Sequence, residues 1–269
     1  MRHAQIVSTG SNIPDRVVTN AEFTPRFGAS VDDWLVDHIG IRERRFMAAD
    51  QATSDLAAAA GRIALTRAGL EPAALDRIIV ATDTPDYLSP ATAAVVQAKL
   101  EARRAGVFDV NSACAGWVIA LDLAAKIILT EPEEHWVLVI GAYGMSRFLD
   151  GNDKKTATLF ADGAGAVIVG ASLAPGWLAT VTAAAGEYHD ALGIYTGGTF
   201  RPATAENLAQ SGPPVVQFVR PFPATFNVEQ WPGLIERLLA RASVRAGTRL
   251  HPDDVDCYYF TQVNLRTIE

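Results

Sequence analysis

Two periods of hydrophobic positions run through this chain, one of two residues and one of 3.6, and they change over at short polar or glycine-rich junctions. Residues 4–9 read as a first strand, with a turn at 10–14. Residues 32–38 read as a short helix with Ser30 or Asp32 near its cap, and 40–45 as a charged loop. A capped helix with an alanine-rich face spans 54–68, and Gly69 stops it. Residues 76–82 form a strand, and 90–100 a helix with Pro90 in its first turn. Residues 107–110 read as a short buried strand. From Ala115 the period changes, and Trp117, Leu121, Ala124, Ala125 and Ile128 fall on one helix face until Glu131-Pro132 ends the run. The unbroken apolar run 135–141 suits a strand covered on both faces, and 161–170 leads into another. Strands alternating with helices predict an α/β sheet with right-handed crossovers.

The pattern then starts again. Residues 177–184 read as a strand like the first, 193–223 is irregular and rich in Gly, Pro and Thr, and 232–245 is an amphipathic helix stopped by Gly247. Leu250, Pro252, Val255 and Asp256 copy Leu70, Pro72, Leu75 and Asp76 at an offset of 180, and a strand is expected after each. A repeat of that length implies a duplicated domain. The expected organisation is therefore a first half over 1–172 and a second, incomplete half over 173–269. By the same offset a partner for the Cys114 turn would fall near position 294 of a longer chain, so the sequence reads as lacking a C-terminal part.

Hydrophobic residues make up 49% of the 269 and charged ones 20%, enough apolar surface for a large folded core. A net charge of −7 argues against a general nucleic-acid binder, whose footprint is a basic face. No stretch has signal-peptide or membrane-spanning character, which predicts a cytoplasmic protein. Two cysteines make neither a disulfide framework nor a metal cluster, and the histidines lack metal-ligand spacing. Cys257, in an apolar run, reads as core. The Arg42, Arg44, Arg45 cluster reads as a solvated or salt-bridged loop. Gly163-Ala-Gly165 leads into a strand where a phosphate loop would need a helix, so close backbone packing is its expected role.

The chemistry concentrates at Asn111-Ser-Ala-Cys114-Ala-Gly116. A strand precedes this run of small residues and a helix follows it, which places the thiol on an elbow facing the first helical N–H groups. A thiolate is the nucleophilic form of cysteine, and such a position favours it. The alternative is a buried structural cysteine packing as a small hydrophobe.

Duplicated halves with a Cys elbow in the first resemble the thiolase fold, with αβαβα layers. The segments 8–14, Asp33-Trp34-Leu-Val, Gly40-Ile-Arg-Glu-Arg44, Asn111 to Gly116, Asp162-Gly-Ala-Gly-Ala166 and Gln262-Val-Asn264-Leu-Arg266 narrow the resemblance to β-ketoacyl–acyl carrier protein synthase III and its relatives. The resemblance implies an acyltransferase of fatty-acid or polyketide biosynthesis. Its cysteine, here Cys114, takes an acyl group from acyl-CoA and condenses it with malonyl on acyl carrier protein. No cofactor is implied, and the family's enzymes are homodimers paired through the strand before the elbow. The Cys114 N–H, with one from a later glycine-containing loop, would hold the oxyanion. Trp34 matches the residue that stacks on the CoA adenine, His38 stands where the family has an arginine, and Lys154 stands at a phosphate-binding arginine. Gln262, Asn264 and Arg266 match the site-lining motif, and Arg266 or the 42–45 arginines would steer an acidic carrier protein.

One position departs from the pattern. The family histidine before that motif is Thr261 here, which donates a hydrogen bond but carries no positive charge. This favours, as an alternative, a transferase that passes the acyl group to an amine, alcohol or thiol without decarboxylation, or a catalytically weak partner of an active synthase.

Overall fold

The computed structural model describes residues 2–223 and 225–262. Its centre is a five-stranded mixed sheet. Strands β1 (His3–Asn12), β4 (Arg77–Ala81), β5 (Gly106–Val110), β6 (Trp136–Gly144) and β7 (Asp162–Ser172) lie in the order β1-β7-β6-β4-β5. The three strands β6, β4 and β5 are mutually parallel, and β7 runs antiparallel to both of its neighbours, β6 and β1. A small ladder of β2 (Arg16–Thr19) and β3 (Glu43–Phe46) stands apart, as does a two-residue ladder of β8 (Leu192–Gly193) with β9 (Gln217–Phe218).

Period-two alternation divides the central strands between two cores. Ile78, Val80, Leu138, Ile140 and Ile168 face the Thr53–Ala68 and Thr92–Leu100 helices, where they meet Ala57, Ala60, Ala64 and Val96. Ile79, Ala81, Val137, Val139, Val167 and Val169 face the Ala115–Thr130 helix through Ala120, Ala124, Ala125 and Ile128. The result is three layers, helix, sheet and helix, and the continuous apolar run in β6 is buried on both faces.

Several boundaries move for physical reasons. The first strand continues through the expected 10–14 turn as far as Asn12, and Gly10 lies where a Cβ would collide with the Ala60 carbonyl oxygen. The expected 32–38 helix begins at Ser30, with Ala29 at its cap, and widens into a π-turn over Leu35–Ile39. Asp32 is engaged by Asn20 Nδ2 at 2.8 Å and does not cap it. The expected charged loop 40–45 enters strand β3. Its Arg44 is buried, donating to the Val18 and Thr158 carbonyls and to Asn20 Oδ1. Pro90 lies outside its helix, which starts at Thr92. The Asp109 carboxylate caps that helix from β5, accepting from the N–H groups of Thr92 and Ala93 at 2.6 and 2.7 Å. Strand β5 is half-buried at the sheet edge rather than buried. Gly163 and Gly165 do lie in a strand, but Gly165 has open space where a side chain would go, so close packing does not explain it.

Residues 173–262 build no large sheet among the described residues. Among the described residues, the expected strand 177–184 joins no strand, and its one backbone bond to the sheet runs from Trp177 N–H to the Ala4 carbonyl at 2.7 Å. The repeat is visible in its 3-10 turns, Pro72–Ala74 and Pro252–Asp254, which recur at the offset of 180. After the first turn β4 is flanked by two strands. After the second, residues 256–260 have no described strand beside them and remain irregular, which leaves Cys257 exposed rather than in a core. The amphipathic helix spans Phe226–Ala246 with Pro232 inside it, starting six residues before the expected Pro232, and Gly247 stops it with φ +70°. No described helix is long and apolar enough to cross a membrane.

Candidate active site

The parallel strands β4 and β5 end side by side, while β6 runs on to Gly144. Ala81 is abreast of Val110 on one side and Gly141 on the other, and the chain segments that leave these ends form the site. In parallel α/β sheets this carboxyl edge is where ligands gather, because the loops there are free of the ladder.

From β5 the chain makes a sharp turn. Ala113 has φ +45°, a left-handed value uncommon for a residue with a side chain, and Cys114 takes the position just before the Ala115–Thr130 helix. The first helical turn lies directly over the strand ends: a Cβ on Gly116 would make van der Waals contact with Ala81 Cβ at 3.5 Å and the Val110 carbonyl at 3.6 Å. The thiol is exposed, which excludes the buried structural cysteine. Helix geometry partly alters the expected donor set. Gly116 N–H is consumed by the carbonyls of Ser112 and Ala113 at 3.2 and 3.0 Å, whereas Cys114 N–H meets no acceptor among the described residues.

A threonine cluster holds the end of β4. Thr82 N–H reaches the Val110 carbonyl at 3.0 Å, Thr84 Oγ1 accepts from Gly144 N–H at 2.8 Å, and Thr53 Oγ1 donates to the Thr84 carbonyl at 2.7 Å. Asp162, at the start of β7, accepts from the N–H groups of Met47 and Ser146, both at 2.8 Å. Between these lie two groups that sequence reading missed, Asp83 and Tyr143. Burial pushes the Asp83 carboxyl above the usual carboxylate range, and its own N–H only partly offsets this. Burial likewise pushes the Tyr143 phenol up, helped by the charges of Asp83, Cys114 and Asp162. The sequence signal for Asp83 was its place two residues beyond a strand end at the carboxyl edge.

A second group lies apart from the thiol in sequence. Trp34 and Lys154 meet, the Lys154 Nζ standing 4.6 Å from the centre of the indole ring, and both are half-buried. Lys154 opens a short helix capped by Asp153, whose carboxylate accepts from Lys155 N–H. His38, one helical turn beyond Trp34, is exposed. Thr261 and Gln262 are exposed and irregular, and no hydrogen bond joins Thr261 to Cys114 among the described residues. Asn264 and Arg266 lie outside the described residues.

Comparison with known proteins gives a consistent answer. The family model for 3-oxoacyl-[acyl-carrier-protein] synthase III matches residues 108–186, which contain the elbow. The chain is 39% identical over 269 residues to the beta-ketoacyl-[acyl-carrier-protein] synthase III of Syntrophomonas wolfei, covering 98% of this chain and 77% of that one. It is 40% identical to the protein of that name from Paracoccus denitrificans, covering 100% of this chain and 80% of the relative. Among solved structures, the 3-oxoacyl-[acyl-carrier-protein] synthase III of Aquifex aeolicus superposes with a TM-score of 0.82 at 32% identity, over 98% of this chain and 78% of that one. The priming beta-ketosynthase of the R1128 polyketide pathway superposes with a TM-score of 0.83 at 28% identity, over 99% and 76%. These likenesses make the fold thiolase-like.

Proposed function

The chain belongs to the β-ketoacyl-[acyl-carrier-protein] synthase III family, a family of acyltransferases, and on that premise we propose that Cys114 takes an acyl group from a CoA thioester and passes it to malonyl carried on acyl carrier protein. The single observation that carries this is the exposed Cys114 thiol on a strained elbow, at the head of a 16-residue helix and beside its own unpaired N–H. Thiol attack on the thioester carbonyl puts negative charge on oxygen, and a free backbone donor is what that charge needs. Trp34 would stack on the adenine, with Lys154 and His38 beside it for the phosphates. The CoA thioester is the substrate, so the step calls for no cofactor. Gln262, Asn264 and Arg266 are proposed to line the carrier-protein side.

The same reading takes 1–172 and 173–269 as two halves, the first closed by the end of β7 at Ser172. It takes the protein as a cytoplasmic homodimer joined along β5, whose outer edge has no described partner strand. Sedimentation as a monomer at micromolar concentration would contradict the dimer.

Thr261 in place of an imidazole favours a second reading, acyl transfer to an amine, alcohol or thiol without decarboxylation. Both are tested by incubation with a radiolabelled acyl-CoA, followed by malonyl-acyl carrier protein. Label on Cys114, absent in Cys114→Ala, with carbon dioxide release and a β-ketoacyl product, is the expected result. Label that moves to an acceptor without carbon dioxide supports the second reading. Folded protein that takes no label overturns both and leaves a catalytically weak partner subunit.

A further inference from the structure

The carboxyl edge of the parallel strands holds four carboxylates with different surroundings. Asp86 accepts from Ser54 N–H at 2.9 Å and Oγ at 2.5 Å, Asp109 from two helix N–H groups, and Asp162 from two loop N–H groups. Each of these three is accounted for by the backbone it holds. Asp83 is not: apart from its own N–H, no donor and no counter-charge engages it among the described residues.

Its place follows from the register. Thr82 N–H is bonded to β5 and Thr84 Oγ1 to Gly144 at the end of β6, so Asp83, in the bend just past β4, stands between the chain segments that leave those two strands. The side chains on either side of it then settle its face. Thr82 and Thr84 touch one another on the side of the Thr53–Ala68 helix, their hydroxyls 3.3 Å apart. Ile79 and Ala81 face the Ala115–Thr130 helix, and Asp83 continues their row. Gly141, against the Trp117 ring, and then Tyr143 continue the corresponding row of β6. Ala81 underlies Gly116 in the first turn of that helix, so the next residue in the row lies towards its N-terminus, where Cys114 is. The Tyr143 phenol feels both the Asp83 and the Cys114 charges, as this placement requires. The ionisable groups facing Asp83 are therefore Cys114 from the elbow and Tyr143 from β6, with Asp162 on the far side of Tyr143.

We propose that Asp83 is a second catalytic residue of the Cys114 site, carrying the proton that thioester exchange must move. Its carboxylate takes the proton of the Cys114 thiol as the Cys114 sulfur bonds to the acyl carbon. Its carboxylic acid then returns that proton to the CoA sulfur as the old carbon–sulfur bond breaks, so free CoA leaves as the thiol and Asp83 ends ionised, as it began. The inference rests on the acyl-CoA reading above. It assigns to this chain a proton carrier at a site where Thr261 offers no basic group.

The test compares two thioesters on the intact protein. The sulfur of acetyl-CoA leaves poorly without a proton, whereas that of S-phenyl thioacetate leaves readily as the thiolate. Asp83→Asn is expected to slow Cys114 acylation by acetyl-CoA about a hundredfold, within the usual range of general acid–base catalysis, and acylation by S-phenyl thioacetate much less. Wild-type acylation by acetyl-CoA should also fall with decreasing pH as Asp83 is protonated, and this limb should vanish in the variant. Equal slowing of both esters, or no slowing, overturns the proposal while leaving the acyl-CoA reading intact. Wild-type protein that takes label from neither ester overturns both. Should Asp83→Asn not fold, Asp83→Ser assayed with and without formate decides the matter. Formate, but not chloride, should restore acetyl-CoA turnover, and its failure to do so overturns the proposal.

Discussion

Lys154 Nζ stands 4.6 Å from the centre of the Trp34 ring, joining two residues 120 positions apart in the sequence. Each alone has an ordinary explanation: a tryptophan in a short helix packs, and a lysine in a polar loop is solvated. Together they make a cation held over an aromatic face, which stabilises a partly exposed pair by about 0.5–1 kcal/mol. A planar aromatic base and a phosphate find complementary partners in the same two side chains.

Loss of either side chain should therefore act on substrate binding. Trp34→Ala and Lys154→Met are each expected to raise KM for acyl-CoA about tenfold with little change in kcat, about 1.4 kcal/mol of uniform binding. Lys154→Met should also flatten the salt dependence of KM, because it removes a point charge. Steady-state kinetics at two ionic strengths checks this, and a kcat effect without a KM effect would sink it.

Arg44 is a structural rather than a steering cation. Burial lowers its pKa, with Glu22 and Glu43 opposing that shift, and its guanidinium lies 4.9 Å from the centre of the Phe23 ring. It joins the β2–β3 ladder to Thr158, and so to the segment that carries Lys154. Arg44→Met should cost about 3 kcal/mol, since it leaves buried acceptors without donors. Arg44→Lys should recover only part of this, because an ammonium lacks the fork that spans Val18, Asn20 and Thr158. Urea midpoints for the three proteins measure the difference.

Asp55 ties the head of the Thr53–Ala68 helix, accepting from Ala52 N–H at 2.9 Å and from Lys99 Nζ at 2.6 Å. Desolvation pushes its carboxyl up, but the bonds from Lys99 and Ala52 outweigh it and hold the carboxyl below its ordinary value. A carboxyl depressed on folding stabilises the protein above its unfolded pKa of about 3.9, and that stabilisation is lost as pH falls through the folded value. Asp55→Asn should therefore be less stable than wild type at neutral pH, with the gap closing below pH ~4. Thermal melts across pH 3–7 test the sign.

Two glycines predict opposite results. Gly10→Ala drives a methyl group into the Ala60 carbonyl and should cost about 1–3 kcal/mol through overpacking. Gly165→Ala meets open space in a strand, and should be neutral or slightly stabilising. Denaturant unfolding of both variants in parallel checks this, and equal effects would contradict the close approach of β1 to the Thr53–Ala68 helix.

The elements of the first half were legible in the chain because each rests on local patterning. The 3.6 period from Ala115, the apolar run of β6 and the glycine stop at 69 need only neighbours in sequence, and the small residues around Cys114 mark the elbow. The resemblance supplied Trp34 and Lys154 as a pair, which no local signal joins. Tertiary structure decided what depends on distant partners. Arg44 is buried because Asn20 and Thr158 receive it, the Thr92 helix starts where Asp109 reaches it, and residues 256–260 form no strand because no described strand lies beside them. Asp83 belongs to the same class. Its chemistry comes from lying between two strand ends with no donor among the described residues but its own N–H, and the parallel register of β4, β5 and β6 creates that setting. Hydrophobic period is a property of consecutive residues, whereas burial and charge environment belong to residues brought together by folding.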